Sequence, residues 1–214
     1  MSEVKGAAME LGTERIRKLL VQYALPAIIA MTASSLYNMV DSIFIGHGVG
    51  ALAISGLALT FPLMNLAAAF GSLVGVGAAT LVSMRLGQRD YETAQRILGN
   101  VVVLNLIIGI SFGLLTLVFL DPILYFFGAS DATIGYAREY MSVILWGNVV
   151  THMYLGLNAV LRAAGHPRKA MYATILTVTI NAILDPLFIF GFGWGIRGAA
   201  IATVLAQILA LVWQ

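Results

Sequence analysis

Long apolar stretches recur along the whole sequence and leave little polar chain between them. A helix needs about 20 mostly apolar residues to cross the hydrocarbon core of a bilayer. The 214 residues are 60% hydrophobic and only 10% charged, whereas soluble domains carry about 25% charged residues. We therefore predict an all-α integral membrane protein whose six transmembrane helices form one bundle. The predicted spans are Leu19–Ile45, Ala51–Met84, Ile97–Leu120, Tyr136–Leu161, Ala170–Phe190 and Gly198–Gln214.

Basic residues are distributed unevenly between the two ends of these spans. If the N-terminus is inside, ten Lys and Arg residues lie on the cytoplasmic side and two, Arg138 and Arg197, lie outside. Such an excess of basic residues marks cytoplasmic loops. We expect a multi-pass protein of the cell (inner) membrane, with residues 1–18 as a cytoplasmic segment and residues 19–214 as the membrane domain. The last span reaches the end of the sequence, so we expect a C-terminal lobe to be missing.

Asp41 and Asp185 both fall inside predicted spans, each close to a glycine-rich turn. An ionisable residue at membrane depth is costly and by default indicates a functional site. Asp41 lies five residues before Gly46 and Asp185 six before Gly191, so both acids should sit roughly 8 Å below the same outer boundary. A weak parallel repeat relates these two segments, since each continues into a glycine-rich outer turn. The sequence therefore predicts two carboxylates at one depth.

Further polar groups are expected at the same depth. Pro186 has no amide hydrogen, which should leave the carbonyl of Ala182 without its usual helical partner. Carboxylate, amide, hydroxyl and carbonyl oxygens suit a hard cation such as Na⁺, and the same carboxylates could hold protons instead. Small polar residues also join helices without binding anything, and the pattern does not choose between Na⁺ and H⁺. The supporting side chains predicted to surround this pocket are Tyr37, Asn38, Asn181 and Thr203.

Prolines and glycines predict the shape and packing of the spans. Pro26 and Pro186 should interrupt the first and fifth spans, because each removes a helical hydrogen bond. The long second span should tilt, extend beyond the membrane or kink near Pro62. In the second span, Gly71, Gly75 and Gly77 indicate a close helix contact more than a hinge. His152 in the fourth span could relay protons, but packing between helices is the stronger expectation.

Several segments together are similar to one transporter family. They are the first span with Pro26 near its start and Asp41 near its end, the exit from the second span at Ser83–Arg89, the loop Leu161–Pro167, the pattern Asn181-x-x-x-Asp185-Pro186, and the entry to the sixth span at Gly195–Thr203. In this order and spacing, the chain resembles the N-terminal lobe of a prokaryotic member of the multidrug and toxic compound extrusion (MATE) family.

The resemblance implies a twelve-helix secondary transporter built from two six-helix lobes. Such proteins export organic cations and other amphipathic, drug-like compounds in exchange for Na⁺ or H⁺. The cation-binding cluster of the N-terminal lobe maps onto Asp41, Asn181, Asp185 and Thr203, with Na⁺ as the possible metal. The implied partners are membrane lipid and either the missing C-terminal lobe or a second copy. No enzyme activity, no cofactor beyond the coupling ion and no nucleic acid is expected.

Two other functions remain open from the sequence. A flippase for a lipid-linked or polysaccharide precursor would share the lobe architecture, but it predicts basic residues in the span interiors, where the sequence has no Lys or Arg. An intramembrane aspartyl protease also places two acids on separate spans. Its Gly-x-Gly-Asp signature is absent, because Ala182-Ile183-Leu184 precedes Asp185.

Overall fold

The computed structural model describes residues 15–214, so most of the predicted cytoplasmic segment 1–18 lies outside the described residues. The described part is helical and contains no strand. A five-residue π-helix, Leu187–Gly191, follows the seventh helix directly. The α-helices are α1 (Ile16–Gly48), α2 (Ala51–Gly87), α3 (Tyr91–Val118), α4 (Leu120–Phe126), α5 (Ile134–Trp146), α6 (Asn148–Ala163), α7 (Pro167–Pro186) and α8 (Gly195–Trp213).

The helices provide six candidate membrane crossings. Five are long and apolar enough to span a bilayer alone: α1, α2, α3, α7 with its π-helix, and α8. The sixth is the pair α5 and α6, which are bent by 59° relative to each other. The predicted all-α bundle of six spans is confirmed, and each observed helix extends a few residues beyond or short of its predicted limits, as is usual for helix ends.

The predicted continuous span Tyr136–Leu161 was wrong in one respect, because the helix breaks at Gly147. A Cβ atom at Gly147 would lie 2.5 Å from a methyl group of Val204, so α8 packs directly against the bare backbone there. Beyond the break, the Asn148 amide donates to the carbonyl of Gly109 on α3, 3.0 Å away. The bend is thus held by contacts with two other helices, which sequence periodicity does not report.

The prolines act differently from one another. Helix α1 continues through Pro26, so the predicted interruption does not occur there. Helix α2 continues through Pro62 as one helix of 37 residues. Membrane helices tolerate proline because neighbouring groups compensate the lost hydrogen bond. At Pro186 the prediction holds, since α7 ends at this residue and the chain continues as the π-helix. A bend of α1 at Pro26 remains a prediction.

The bundle consists of two helix groups. Helices α2, α3 and α6 pack closely on one side, while α1 packs chiefly on α7 and α7 packs on α8. In the first group a Cβ atom at Gly75 would lie 2.7 Å from the Gly156 Cα atom, whereas one at Gly77 would meet nothing within 4 Å. The close-contact interpretation therefore holds for Gly75, and also for Gly71, which faces His152, but not for Gly77.

Candidate cation site

The carboxyl groups of Asp41 and Asp185 meet between α1 and α7. Asp41 lies near the C-terminal end of α1 and Asp185 one residue before the end of α7. Their exposed fractions are only 5% and 0%. The two groups are close enough to share a hydrogen bond if one of them carries a proton. The structure thus brings the two predicted acids together, and their common membrane depth stays a prediction.

An amide and two hydroxyl groups connect this acid pair to a third helix. The Asn181 Nδ2 atom donates to Asp185 Oδ1 at 3.1 Å and to Thr203 Oγ1 on α8 at 3.3 Å. Thr203 Oγ1 in turn lies 2.8 Å from Tyr37 Oη on α1. These contacts form one continuous chain of hydrogen bonds across α1, α7 and α8, and they fix the orientation of Asn181 beside the carboxyl pair.

Three buried oxygens of the cluster have no hydrogen-bond partner within residues 15–214. They are Asp41 Oδ1, Asp185 Oδ2 and Asn181 Oδ1. No Lys, Arg or His of this part of the chain forms an ion pair with either acid. A buried polar atom without a partner costs about 1–3 kcal/mol, and a charged one costs more. The unpaired oxygens therefore fit a small hard cation or protons, which would supply the missing interactions.

The remaining predicted residues lie near the cluster or apart from it. Pro186 offers no amide hydrogen and the Leu187 amide donates to the carbonyl of Leu184, which agrees with the expectation that the carbonyl of half-buried Ala182 loses its usual partner. Asn38 is exposed on α1, and its backbone carbonyl accepts from Ser42 Oγ at 2.8 Å. Asn38 thus does not join the hydrogen-bonded cluster, although Tyr37 does.

One residue near the cluster escaped the sequence analysis. Tyr140 on α5 is 1% exposed and its side chain lies beside Thr203, Tyr37 and the acid pair. The sequence predicts the fourth span as one helix. A straight helix does not show which of its tyrosines lies at the same membrane depth as Asp41. The bend at Gly147 brings α5 against α8 and thereby places Tyr140 at the site.

A second buried polar group lies elsewhere in the bundle. His152 on α6 is fully buried and its Nδ1 atom lies 2.8 Å from the carbonyl of Asn148. Its ring also lies 6.2 Å from that of Phe112. These contacts support the packing interpretation, although the Nε2 atom has no partner among the described residues.

Comparison with known proteins identifies the family of this chain. The MatE family model matches residues 26–187, which include both acids. The chain belongs to the MatE family. It is 31% identical over 195 residues to the multidrug export protein MepA of Staphylococcus haemolyticus (strain JCSC1435), covering 91% of this chain and 43% of that protein. MepA of Staphylococcus aureus (strain NCTC 8325 / PS 47) is 30% identical over 196 residues, 92% of this chain and 44% of that protein.

Solved MATE structures share the fold. The crystal structure of a MATE P26A mutant superimposes with a TM-score of 0.87 at 30% identity, over 95% of this chain and 45% of that one. A MATE structure in the bent conformation gives 0.86 at 31% identity, over 92% and 44% of the two chains. The chain therefore spans less than half the length of these MatE relatives. It has the architecture of one lobe of an all-α, multi-pass membrane transporter and belongs to a family of transporters rather than enzymes.

Proposed function

We propose that this MatE chain is the N-terminal lobe of a multidrug efflux antiporter. Residues 19–214 form the lobe, residues 1–18 lie in the cytoplasm, and the inner membrane is the site of action. A C-terminal lobe, or a second copy of the chain, supplies the opposite wall of the substrate cleft. The substrates are organic cations and other amphipathic, drug-like compounds, in line with the relatives named as multidrug export proteins.

The observation that carries the proposal is the buried contact between Asp41 and Asp185. Two ionised carboxylates in contact repel strongly in a medium of low dielectric constant. The pair therefore needs a compensating charge, either a proton on one acid or a Na⁺ ion bound by Asp41, Asn181, Asp185 and Thr203. Because a proton and Na⁺ would occupy the same carboxylates, they would compete. A cation-coupled transporter exchanges the ion for its substrate by binding them in different conformational states, and this pair would supply the ion site.

The positions of the two acids connect cation binding to movement. Asp41 lies on α1, which packs chiefly on α7 and only slightly on α2. A bound cation holds α1 against α7, and its release leaves two like charges that push the helices apart. A ligand shifts a conformational equilibrium by its difference in affinity for the two states. In this proposal α1 is the moving wall of the site, with Pro26 as the place where it bends and Pro186 as a fixed break behind Asp185.

The basic residues do not favour a flippase. In the described part of the chain, Lys and Arg lie in loops or within about two turns of a helix end, and none contacts the Asp41–Asp185 pair. A pyrophosphate-carrying substrate would need basic groups along its path. The contacts around the acid pair instead favour a small cation.

The test measures cation binding by the purified 214-residue chain in detergent. A ligand that binds only the folded state raises its stability in proportion to RT ln(1 + [L]/Kd). We expect Na⁺, but not an equal concentration of a bulky cation such as N-methylglucamine, to raise the Tm at pH 8, and to do so less at pH 5, where protons compete. If protons alone load the pair, the Tm responds to pH and not to Na⁺.

Matched variants show which residues cause the dependence of the Tm on Na⁺ and pH. Asp41→Asn and Asp185→Asn should each abolish the dependence on Na⁺ and pH, whereas Asp131→Asn, outside the spans, should keep it. In a full-length transporter carrying residues 1–214 as its N-terminal half, Asp41→Asn should also lose drug resistance while still inserting into the membrane. An unchanged cation response in both Asp variants, or undiminished resistance, would refute the proposal.

A further inference from the structure

A basic cavity lies where α1 and α7 begin, at the end of the bundle opposite the acid pair. Arg15, Arg17 and Lys18 line it from the start of α1, and Arg168 lines it from the first turn of α7. Val21 and Gln22 complete its wall, and its volume is about 560 Å³. Residues 150 positions apart in sequence thus converge on one opening.

The three arginines of this cavity form no ion pair within residues 15–214, unlike three other arginines of the protein. Within residues 15–214, ion pairs join Arg85 to Asp90, Arg96 to Glu92 and Arg138 to Asp121. No such pair includes Arg15, Arg17 or Arg168. A guanidinium group keeps its charge at any physiological pH, so the cavity gathers positive charges that repel one another. An anion bound between α1 and α7 would offset this repulsion.

We propose that this cavity binds the phosphate of an anionic phospholipid headgroup. Guanidinium groups match phosphate oxygens in geometry and can donate two parallel hydrogen bonds. The first turn of α7, a helix of 20 residues, adds the partial positive charge of its N-terminus. The forked geometry favours an oxyanion such as phosphate over a halide ion, and the helix N-terminus adds to the attraction.

The apolar surface beside the cavity selects a lipid over free phosphate. On α1, the exposed fractions are 65% for Leu20, 55% for Val21, 51% for Leu25 and 59% for Ile28. Acyl chains of a lipid whose headgroup sits among the arginines would lie along this apolar strip. Basic pockets between transmembrane helices on the cytoplasmic side are known to bind anionic headgroups. The bound lipid would link α1 to α7, the two helices that carry Asp41 and Asp185.

The experiment compares lipid binding by the full 214-residue chain and its variants. The chain in detergent is titrated with phosphatidylglycerol or phosphatidylcholine, and bound lipid is counted by native mass spectrometry. Each basic residue near a membrane surface contributes attraction worth about a fivefold change in affinity. We therefore expect phosphatidylglycerol to bind in preference to phosphatidylcholine. Arg17→Gln with Arg168→Gln should weaken phosphatidylglycerol binding roughly 25-fold, and each single change about fivefold.

Arg89→Gln removes one exposed charge from the α2–α3 loop and should leave the affinity unchanged, so a loss equal to that of Arg168→Gln would show nonspecific attraction and overturn the proposal. Inorganic phosphate should compete only weakly. Competition as strong as that of phosphatidylglycerol would contradict the lipid assignment, as would equal binding of the two lipids. An unchanged helical circular dichroism spectrum checks that the variants fold.

Discussion

Thr203 connects three helices through one hydroxyl group, and its replacement by valine tests the candidate site directly. Its Oγ1 atom lies 2.8 Å from Tyr37 Oη on α1 and accepts from Asn181 Nδ2 on α7 at 3.3 Å. Valine has nearly the same shape but no hydroxyl group. The substitution therefore removes both hydrogen bonds and leaves a phenol and an amide hydrogen without these partners, while the packing of α8 is largely kept.

The expected loss follows from the number of bonds. Hydrogen bonds between helices within a membrane contribute about 0.6 kcal/mol on average and up to about 1.7 kcal/mol. Two such bonds give a decrease of about 1–3 kcal/mol in the free energy of unfolding. For a chain of this size, 1 kcal/mol corresponds to about 2–4 °C in Tm. Thr203→Val should thus lower the Tm by roughly 2–12 °C. If Thr203 is also a cation ligand, Na⁺ affinity should fall about tenfold, because a lost interaction of about 1.4 kcal/mol changes affinity by that factor.

Thr177→Val is the matched control for this measurement. Thr177 is half-buried on α7, and its hydroxyl donates at 3.0 Å to the carbonyl of Ala173 on the same helix. This bond connects no helices, so the substitution should change the Tm little and the Na⁺ response not at all. Both Tm values are read from thermal unfolding of the purified protein with and without Na⁺. Equal changes in the two variants would refute the reasoning from interhelical hydrogen bonds.

Four further substitutions test the packing between helices and the role of Tyr140. Gly75→Ala places a methyl group 2.7 Å from the Gly156 Cα atom and should cost about 1–3 kcal/mol of stability, whereas Gly77→Ala, with no atom within 4 Å, should be neutral; equal Tm values would contradict the close contact. Gly147→Ala should cost less than Gly75→Ala, because its methyl group meets the side chain of Val204 rather than backbone, and the two Tm values decide this. Tyr140→Phe should alter the Na⁺ dependence of the Tm if its hydroxyl supports Thr203, and an unchanged dependence would limit Tyr140 to packing.

The fold and the centre of the site could be predicted from the sequence for physical reasons. Apolar runs of membrane length leave helices as the only simple way to bond the backbone. Each acid lies a countable number of residues from a glycine-rich turn, so Asp41 and Asp185 could be placed in depth before the helices were known to touch. Asn181 could be assigned to the same face as Asp185 because it precedes it by four residues.

Contacts between helices were harder to predict from the sequence. The bend at Gly147 depends on Val204 and Gly109, which are distant in sequence, and without the bend Tyr140 has no predictable neighbour. Asn38 illustrates the opposite error. It lies three residues before Asp41, near the same predicted face, but α1 contacts the bundle through a narrow strip that contains Asp41 and leaves Asn38 exposed. Spacing gives a residue's approximate direction, whereas the width of the contact decides whether it is buried.

The weak attachment of α1 gives these observations a common physical meaning. Of its 33 residues only four are buried, namely Pro26, Ala30, Asp41 and Ile45, so little apolar burial holds this helix in place. Polar contacts therefore form a large share of what attaches it, through Tyr37 and Asp41 near its C-terminal end and, in our proposal, through a shared lipid at its N-terminal end. A helix held by apolar packing would respond little to one proton or ion. A helix held by a few polar contacts can change position when one of them is lost, as a transporter coupled to a cation requires.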